Sequence, residues 1–188
     1  MALAAKKNIQ QKSIDGADWF EIAFSQHWNR IYGIAFSLVG DHAEAEDLAL
    51  ETFWKLHKKA PANLNHEQLG GWLYRVVTNL GLNALRSQQR RRSYEQEALL
   101  AEQAEYDIQN LADQVERTQT RQNVRAVLAQ LKSRSAQLLI LRYSGFSYRD
   151  IAAALEIAPG SVGTLLARAE QEFEERYQKF EQNLDVTR

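Results

Sequence analysis

Apolar residues return every three or four positions along most of the chain, and this periodicity constrains the fold more than any other feature. Trp19, Phe20, Ala23, Phe24, His27, Ile31, Ile34, Ala35 and Leu38 form one stripe, which predicts a helix from Trp19 to about Leu38. Gly40 ends it. Asp41 opens a second helix, with Glu44 three residues on as in a capping box. Its stripe is Ala45, Leu48, Ala49, Thr52, Phe53 and Leu56. Acids begin this segment and lysines end it, which suits a helix dipole. Beyond the loop around Pro61, the residues Leu69, Leu73, Val76, Val77, Leu80 and Leu85 predict a third helix from about Glu67 to Arg92. The chain has 2 prolines, Pro61 and Pro159, and each falls between helical stretches. An all-α fold is expected.

Residues 94–119 are polar, acidic and thin in apolar residues, and they read as a linker. The helical pattern resumes in VRAVLAQL, Val124 to Leu131, and continues in SAQLLILRYSG, which Gly145 closes. SYRDIAAALEI follows, with Ser147 and Asp150 as a cap pair, and Ala153 stands where two close helices require a small side chain. After Ala158-Pro159-Gly160 comes the longer segment SVGTLLARAEQEFEERYQKF. Two helices joined by a tight turn, the second opening at a Pro-Gly, describe a helix-turn-helix. The expected organisation is a tail over 1–18, a helical domain over 19–93, the acidic linker over 94–119, a second helical domain over 120–180 and a tail over 181–188.

The formal net charge of −1 conceals an asymmetry: the segments 1–93, 94–119 and 120–188 carry +3, −6 and +2. With 0 cysteines, disulfides, thiolate metal sites and cysteine nucleophiles are excluded. That composition fits a cytoplasmic protein. No signal-peptide-like apolar core occurs near the start, and no apolar run reaches the roughly 18 residues of a membrane span, so no membrane insertion is expected.

Three clusters can carry function. In a helix-turn-helix the N-terminal residues of the second helix reach base edges, here Ser161, Val162, Thr164, Leu165 and Arg168. Ser161 and Thr164 offer hydroxyls to bases or phosphates, and Val162 or Leu165 an apolar contact to a thymine methyl. Tyr148 and Arg149 can hold backbone phosphates. A helical hairpin without DNA would show the same pattern. The second cluster is Arg75, Arg86, Arg90, Arg91 and Arg92, a basic ridge for phosphates on a segment without an acid between Gln68 and Ser93. Trp72 and Tyr74 can stack on an unpaired base, or Trp72 can simply anchor the core. The third is acidic: Glu44, Glu46, Asp47 and Glu51, with Asp47 and Glu51 on one face. Only His42 lies near enough to suggest a metal, so a protein-facing patch is the expected reading. His27, His42, His57 and His66 form no constellation with a nucleophilic serine, and no glycine-rich phosphate loop occurs. No catalytic residue, metal or cofactor is expected.

These residues resemble the sigma-70 family, in its small extracytoplasmic-function class. Ala43-Glu44-Ala45-Glu46-Asp47-Leu48-Ala49-Leu50-Glu51-Thr52-Phe53 and Trp72-Leu73-Tyr74-Arg75-Val76-Val77-Thr78-Asn79 are similar to motifs of region 2. The segment LLILRYSGFSYRDIAAALEIAPGSVGTLLARAEQEF is similar to region 4, and together the likeness covers most of 19–177. The resemblance implies a factor that directs RNA polymerase to promoters and helps open the −10 element. It implies that Glu46, Asp47, Glu51 and Phe53 dock on the clamp helices of the polymerase β′ subunit. Asn63, Asn65, Trp72, Arg75, Asn79, Arg86 and Arg90 would hold the −10 DNA. Tyr148, Arg149, Ser161, Val162, Thr164, Leu165 and Arg168 would read the −35 element, with region 4 also touching the β flap. An anti-sigma protein is a further implied partner. The chain departs from the family at Gly163, Leu165 and Ala167, which stand where Lys, Arg and His are common, and at Lys132 and Asn83. A recognition helix with few cations implies weak phosphate attraction and a flat salt response. The residues taken alone leave two other readings: a helix-turn-helix regulator acting without polymerase, and a helical adaptor that binds only protein.

Overall fold

The computed structural model describes residues 18–59, 64, 66–99 and 112–186, and these form seven α-helices with no strand among them. Helices α1 (Asp18–Val39), α2 (His42–Lys59) and α3 (His66–Leu99) make the first half. Helices α4 (Ala112–Gln130), α5 (Ser133–Tyr143), α6 (Tyr148–Leu155) and α7 (Val162–Val186) make the second, with a 3-10 turn at Pro159–Ser161 before α7.

The stripes read from the sequence form the core of the first half. Ala23, Ile31, Ile34, Ala35 and Leu38 of α1 are buried against Ala45, Leu48, Ala49, Phe53 and Leu56 of α2. Leu69, Leu73, Val77, Leu82 and Leu85 bring α3 onto both. Leu64, between α2 and α3, is buried in the same core. Thr52 and Thr78 are buried polar residues on these helices, and each donates its hydroxyl to a carbonyl one turn back, Leu48 O and Tyr74 O. The α1–α2 corner turns at Gly40, whose φ of +77° favours glycine. Asp41 Oδ1 accepts from Glu44 N at 2.9 Å, which caps α2 as its sequence implies.

The helix ends between the two halves differ from expectation. Helix α3 runs to Leu99, beyond the expected end at Arg92. Helix α4 begins at Ala112, inside the stretch read as linker and well before Val124. Helix α7 continues to Val186, through most of the expected tail. The segment 93–118 lacks an apolar stripe, but it also lacks Gly and Pro and is rich in Ala, Gln and Glu, which favour a helix intrinsically.

In the second half, the chain turns through 109° between α6 and α7, the angle of a helix-turn-helix. Ser147 and Asp150 form a full capping box at the start of α6. Ile151, Ala154, Leu155, Val162, Leu166 and Ala169 close the turn around a small core with Leu138 and Leu141. At the end of α6, Glu156 occupies the left-handed region at φ 54°, ψ 50°, where a non-glycine residue costs about 1–2 kcal/mol. No single helix among the described residues is long and apolar enough to cross a membrane.

Phe53 touches Phe20, Phe24 and Trp28, with ring centroids 4.6–6.2 Å apart, and is 2% exposed. Phe53→Ala should therefore cost about 3–5 kcal/mol of stability, read as a lower midpoint in urea denaturation of the full chain.

Candidate nucleic-acid and polymerase interfaces

Helix α2 presents an acidic and aromatic outer face. Glu46, Asp47 and Glu51 are exposed, and Glu51 pairs with Lys55 at 3.1 Å. Glu44 instead turns toward α3 and accepts from Gln88 Nε2 at 2.5 Å. His42 is engaged by Tyr32, whose hydroxyl lies 2.6 Å from Nδ1, and it stacks on Phe36. Phe53 is 2% exposed, because the stripe that buries Leu48, Thr52 and Leu56 turns it inward; this corrects the exposed role expected for it and leaves it only as part of the lining of the cleft beside this face. Two residues the sequence reading passed over do belong, Leu50 (46% exposed) and Trp54 (60% exposed). Their signal was available, because both are large apolar residues out of register with the buried stripe. With Phe20, Phe24 and His57 they line an open cleft of about 770 Å³ between α1 and α2.

On α3, Trp72 is partly buried against the core, so its anchoring role is met. Tyr74 is buried, with its hydroxyl 2.8 Å from His27 Nδ1. Burial raises its pKa above 10.0, and Asp150 adds to the rise while the Arg30 cation opposes it. Arg75 and Arg86, both partly buried, and the exposed Asn79 each have a partner in the second half of the chain. Arg75 pairs with Glu156 at 2.5 Å. Asn79 Oδ1 accepts from Gln137 Nε2 at 2.6 Å. Arg86 donates to Ala129 O, Leu131 O and Ser133 Oγ at 3.0–3.1 Å. Arg90, Arg91 and Arg92 remain exposed on the outer part of the helix. Asn63 and Asn65 lie outside the described residues.

The helix-turn-helix separates its expected contacts by depth. Ser161, Thr164 and Arg168 share an exposed face of the turn and α7, and Tyr148 and Arg149 at the start of α6 are exposed as well. Tyr148 lies under the Arg142 guanidinium, 5.5 Å from ring centroid to Cζ. Val162 is 0% exposed and belongs to the core, which corrects its expected contact with a base. It follows Ser161 by one position, and on a helix adjacent residues diverge by about 100°. Leu165 is half-buried against the core.

Profiles of known families match both halves. Sigma-70 region 2 matches residues 23–91, and Sigma-70, region 4 matches 121–173. The chain is 30% identical over 160 residues to the ECF RNA polymerase sigma factor SigE of Mycolicibacterium smegmatis, covering 82% of this chain and 59% of that one. It is 27% identical over 168 residues to the RNA polymerase sigma-H factor of Pseudomonas aeruginosa, covering 85% and 86%. A solved structure of the sigma factor RpoE in complex with the anti-sigma factor NepR from Bartonella quintana aligns with a TM-score of 0.48 and 25% identity, over 86% of this chain and 98% of that one. The chain belongs to the sigma-70 family, as an RNA polymerase sigma factor of the extracytoplasmic-function class. Factors of this class bind core RNA polymerase and promoter DNA.

The depth of the two helix-turn-helix residues gives a direct check. Val162→Ala should lose on the order of 2 kcal/mol in thermal or urea denaturation. Thr164→Ala, on the exposed face, should stay within about 0.5 kcal/mol of the parent.

Proposed function

We propose that the exposed face of α2 docks on the clamp helices of the polymerase β′ subunit, through Glu46, Asp47 and Glu51 around the apolar Leu50 and Trp54. An apolar centre ringed by charge is the usual anatomy of a protein interface. Phe53 supports this face from beneath. Arg75, Asn79, Arg86 and Arg90, with Trp72 and the loop residues Asn63 and Asn65, hold the −10 element as its strands separate. Cations neutralise phosphates, and an aromatic or polar recess holds an unstacked base. Ser161, Thr164 and Arg168 read the −35 element, Tyr148 and Arg149 hold its backbone, and region 4 touches the β flap.

The observation that carries this reading is the occurrence, in one chain, of an acidic-aromatic face, an arginine-rich helix and a helix-turn-helix with an exposed hydroxyl-and-arginine face. The work of the chain is recognition and strand separation in the cytoplasm, with no covalent step. An anti-sigma protein is the expected regulatory partner.

Gel filtration with core polymerase and run-off transcription test the reading. The parent chain should form a holoenzyme and initiate at discrete sites. Asp47→Ala with Glu51→Ala should weaken core binding by about tenfold or more, roughly 1.4 kcal/mol, while circular dichroism stays unchanged. Duplex binding by the parent without any holoenzyme would overturn it in favour of a regulator that acts alone.

A further inference from the structure

We propose that a polar recess where the α1–α2 corner meets α3 and α4 binds a small polyphosphate anion, either inorganic pyrophosphate or the phosphate tail of a nucleotide. The inference goes beyond the sigma-factor reading and uses none of the residues assigned there to polymerase or promoter. The recess measures about 260 Å³, and Gly40, Gln88, Gln89, Arg92, Gln122 and Arg125 line it. Arg121, one turn before Arg125 on α4, stands close enough to act on the Arg125 charge.

This corner concentrates cations without counter-charge. No acid pairs with Arg92, Arg121 or Arg125 among the described residues. Asp41 also lines the recess, but its Oδ1 is taken by the cap of α2. Burial first, and then the charges of Arg121 and Arg92, lower the pKa of Arg125. Like charges this close repel, and an anion among them replaces that repulsion with attraction. The fold also fixes one of the cations in advance. Arg125 donates from Nε to Ser37 O at 3.0 Å and from Nη2 to Phe36 O at 3.4 Å, at the end of α1. Its Nη1 packs over Gly40, where any Cβ would collide with it. A guanidinium held this way loses little freedom when a ligand arrives.

The chemistry selects phosphate over carboxylate. Guanidinium forks match phosphoryl oxygens, and linked phosphoryl groups carry enough anionic oxygens to meet cations on two helices at once. A nucleoside attached to them would meet the amides of Gln89 and Gln122, which can pair with a base edge. A DNA duplex can lay a phosphate only on the rim of so small a recess. The formal net charge of −1 gives the chain as a whole no attraction for polyanions, so affinity has to come from a local site.

Isothermal titration of the full chain in magnesium-free buffer tests the site, with pyrophosphate, ATP, adenosine and sulfate as probes. One-site binding of pyrophosphate and ATP is expected, at least about tenfold tighter than sulfate. ATP binding tighter than pyrophosphate assigns the glutamines to the base, and equal affinities assign the site to the phosphates alone. Arg92→Gln and Arg121→Gln, both at exposed positions, should each weaken pyrophosphate binding about tenfold. Gln122→Glu adds an acid to the lining and should abolish it. Lys58→Gln removes the same unit of charge near the other end of α2, about 25 Å along the helix, and should leave affinity within about twofold. All four variants should keep the helical circular dichroism of the parent. The thermal midpoint of the parent should rise with added pyrophosphate, and that of Gln122→Glu should not. The proposal is overturned if neither polyphosphate binds saturably, or if sulfate binds as tightly as pyrophosphate or adenosine as tightly as ATP. Parent-like affinity in Arg92→Gln and Arg121→Gln, or an equal loss in Lys58→Gln, would overturn it as well.

Discussion

The backbone of α6 lies against Gly71 of α3 so closely that a single added methyl group would press on the main chain of Ala153 and Ala154. That approach sets the position of the helix-turn-helix on the first half of the molecule. It brings Phe146 onto Tyr74 and Arg30, Glu156 onto Arg75, and Gln137 onto Asn79. None of these contacts is strong alone. The Arg75–Glu156 pair involves a carboxylate that is 71% exposed, and pairs of that kind contribute about 0–1 kcal/mol. Their combined effect comes from sharing one surface that the glycine makes possible, and from being joined by one chain, which raises the effective concentration of each half for the other.

Helix α3 consequently serves two partners. One side of it completes the core with α1 and α2 through Leu69, Leu73, Val77 and Leu85. The other carries Arg75, Asn79 and Arg86, whose polar ends suit phosphates and bases as well as they suit carbonyls and a carboxylate. A surface with that chemistry is open to competition. The outer face of α2 and the face of α7 that carries Thr164 and Arg168 are separate from this contact and stay exposed.

Much of the fold was legible in residue spacing. All six positions expected on the inner stripe of α2 are buried, because an amphipathic helix on a small core has one way to hide them. The cap at Asp41 and the capping box at Ser147 were equally legible, being local chemistry within four residues, although the Glu44 side chain bonds Gln88 and leaves the box at Asp41 half made. Val162 and Phe53 show where local reading failed. Both lie among residues with functional resemblance, and motif position says little about which side of a helix faces the core. Leu50 and Trp54 were passed over although their spacing sets both out of register with the buried stripe.

The sequence by itself determined the helices, the order of the two halves and the family, because periodicity, caps and motif spacing act over short distances along the chain. It also placed the acidic, basic and helix-turn-helix clusters on their elements. Only the tertiary structure decided what those clusters face. The partners of Arg75, Asn79 and Arg86 lie more than 40 positions away in the sequence, and nothing local in the pattern of α3 distinguishes an arginine awaiting phosphate from one already held by a helix end. That distinction depends on how the two halves of the chain meet, which a gap without a side chain at Gly71 permits and no stripe or cap records.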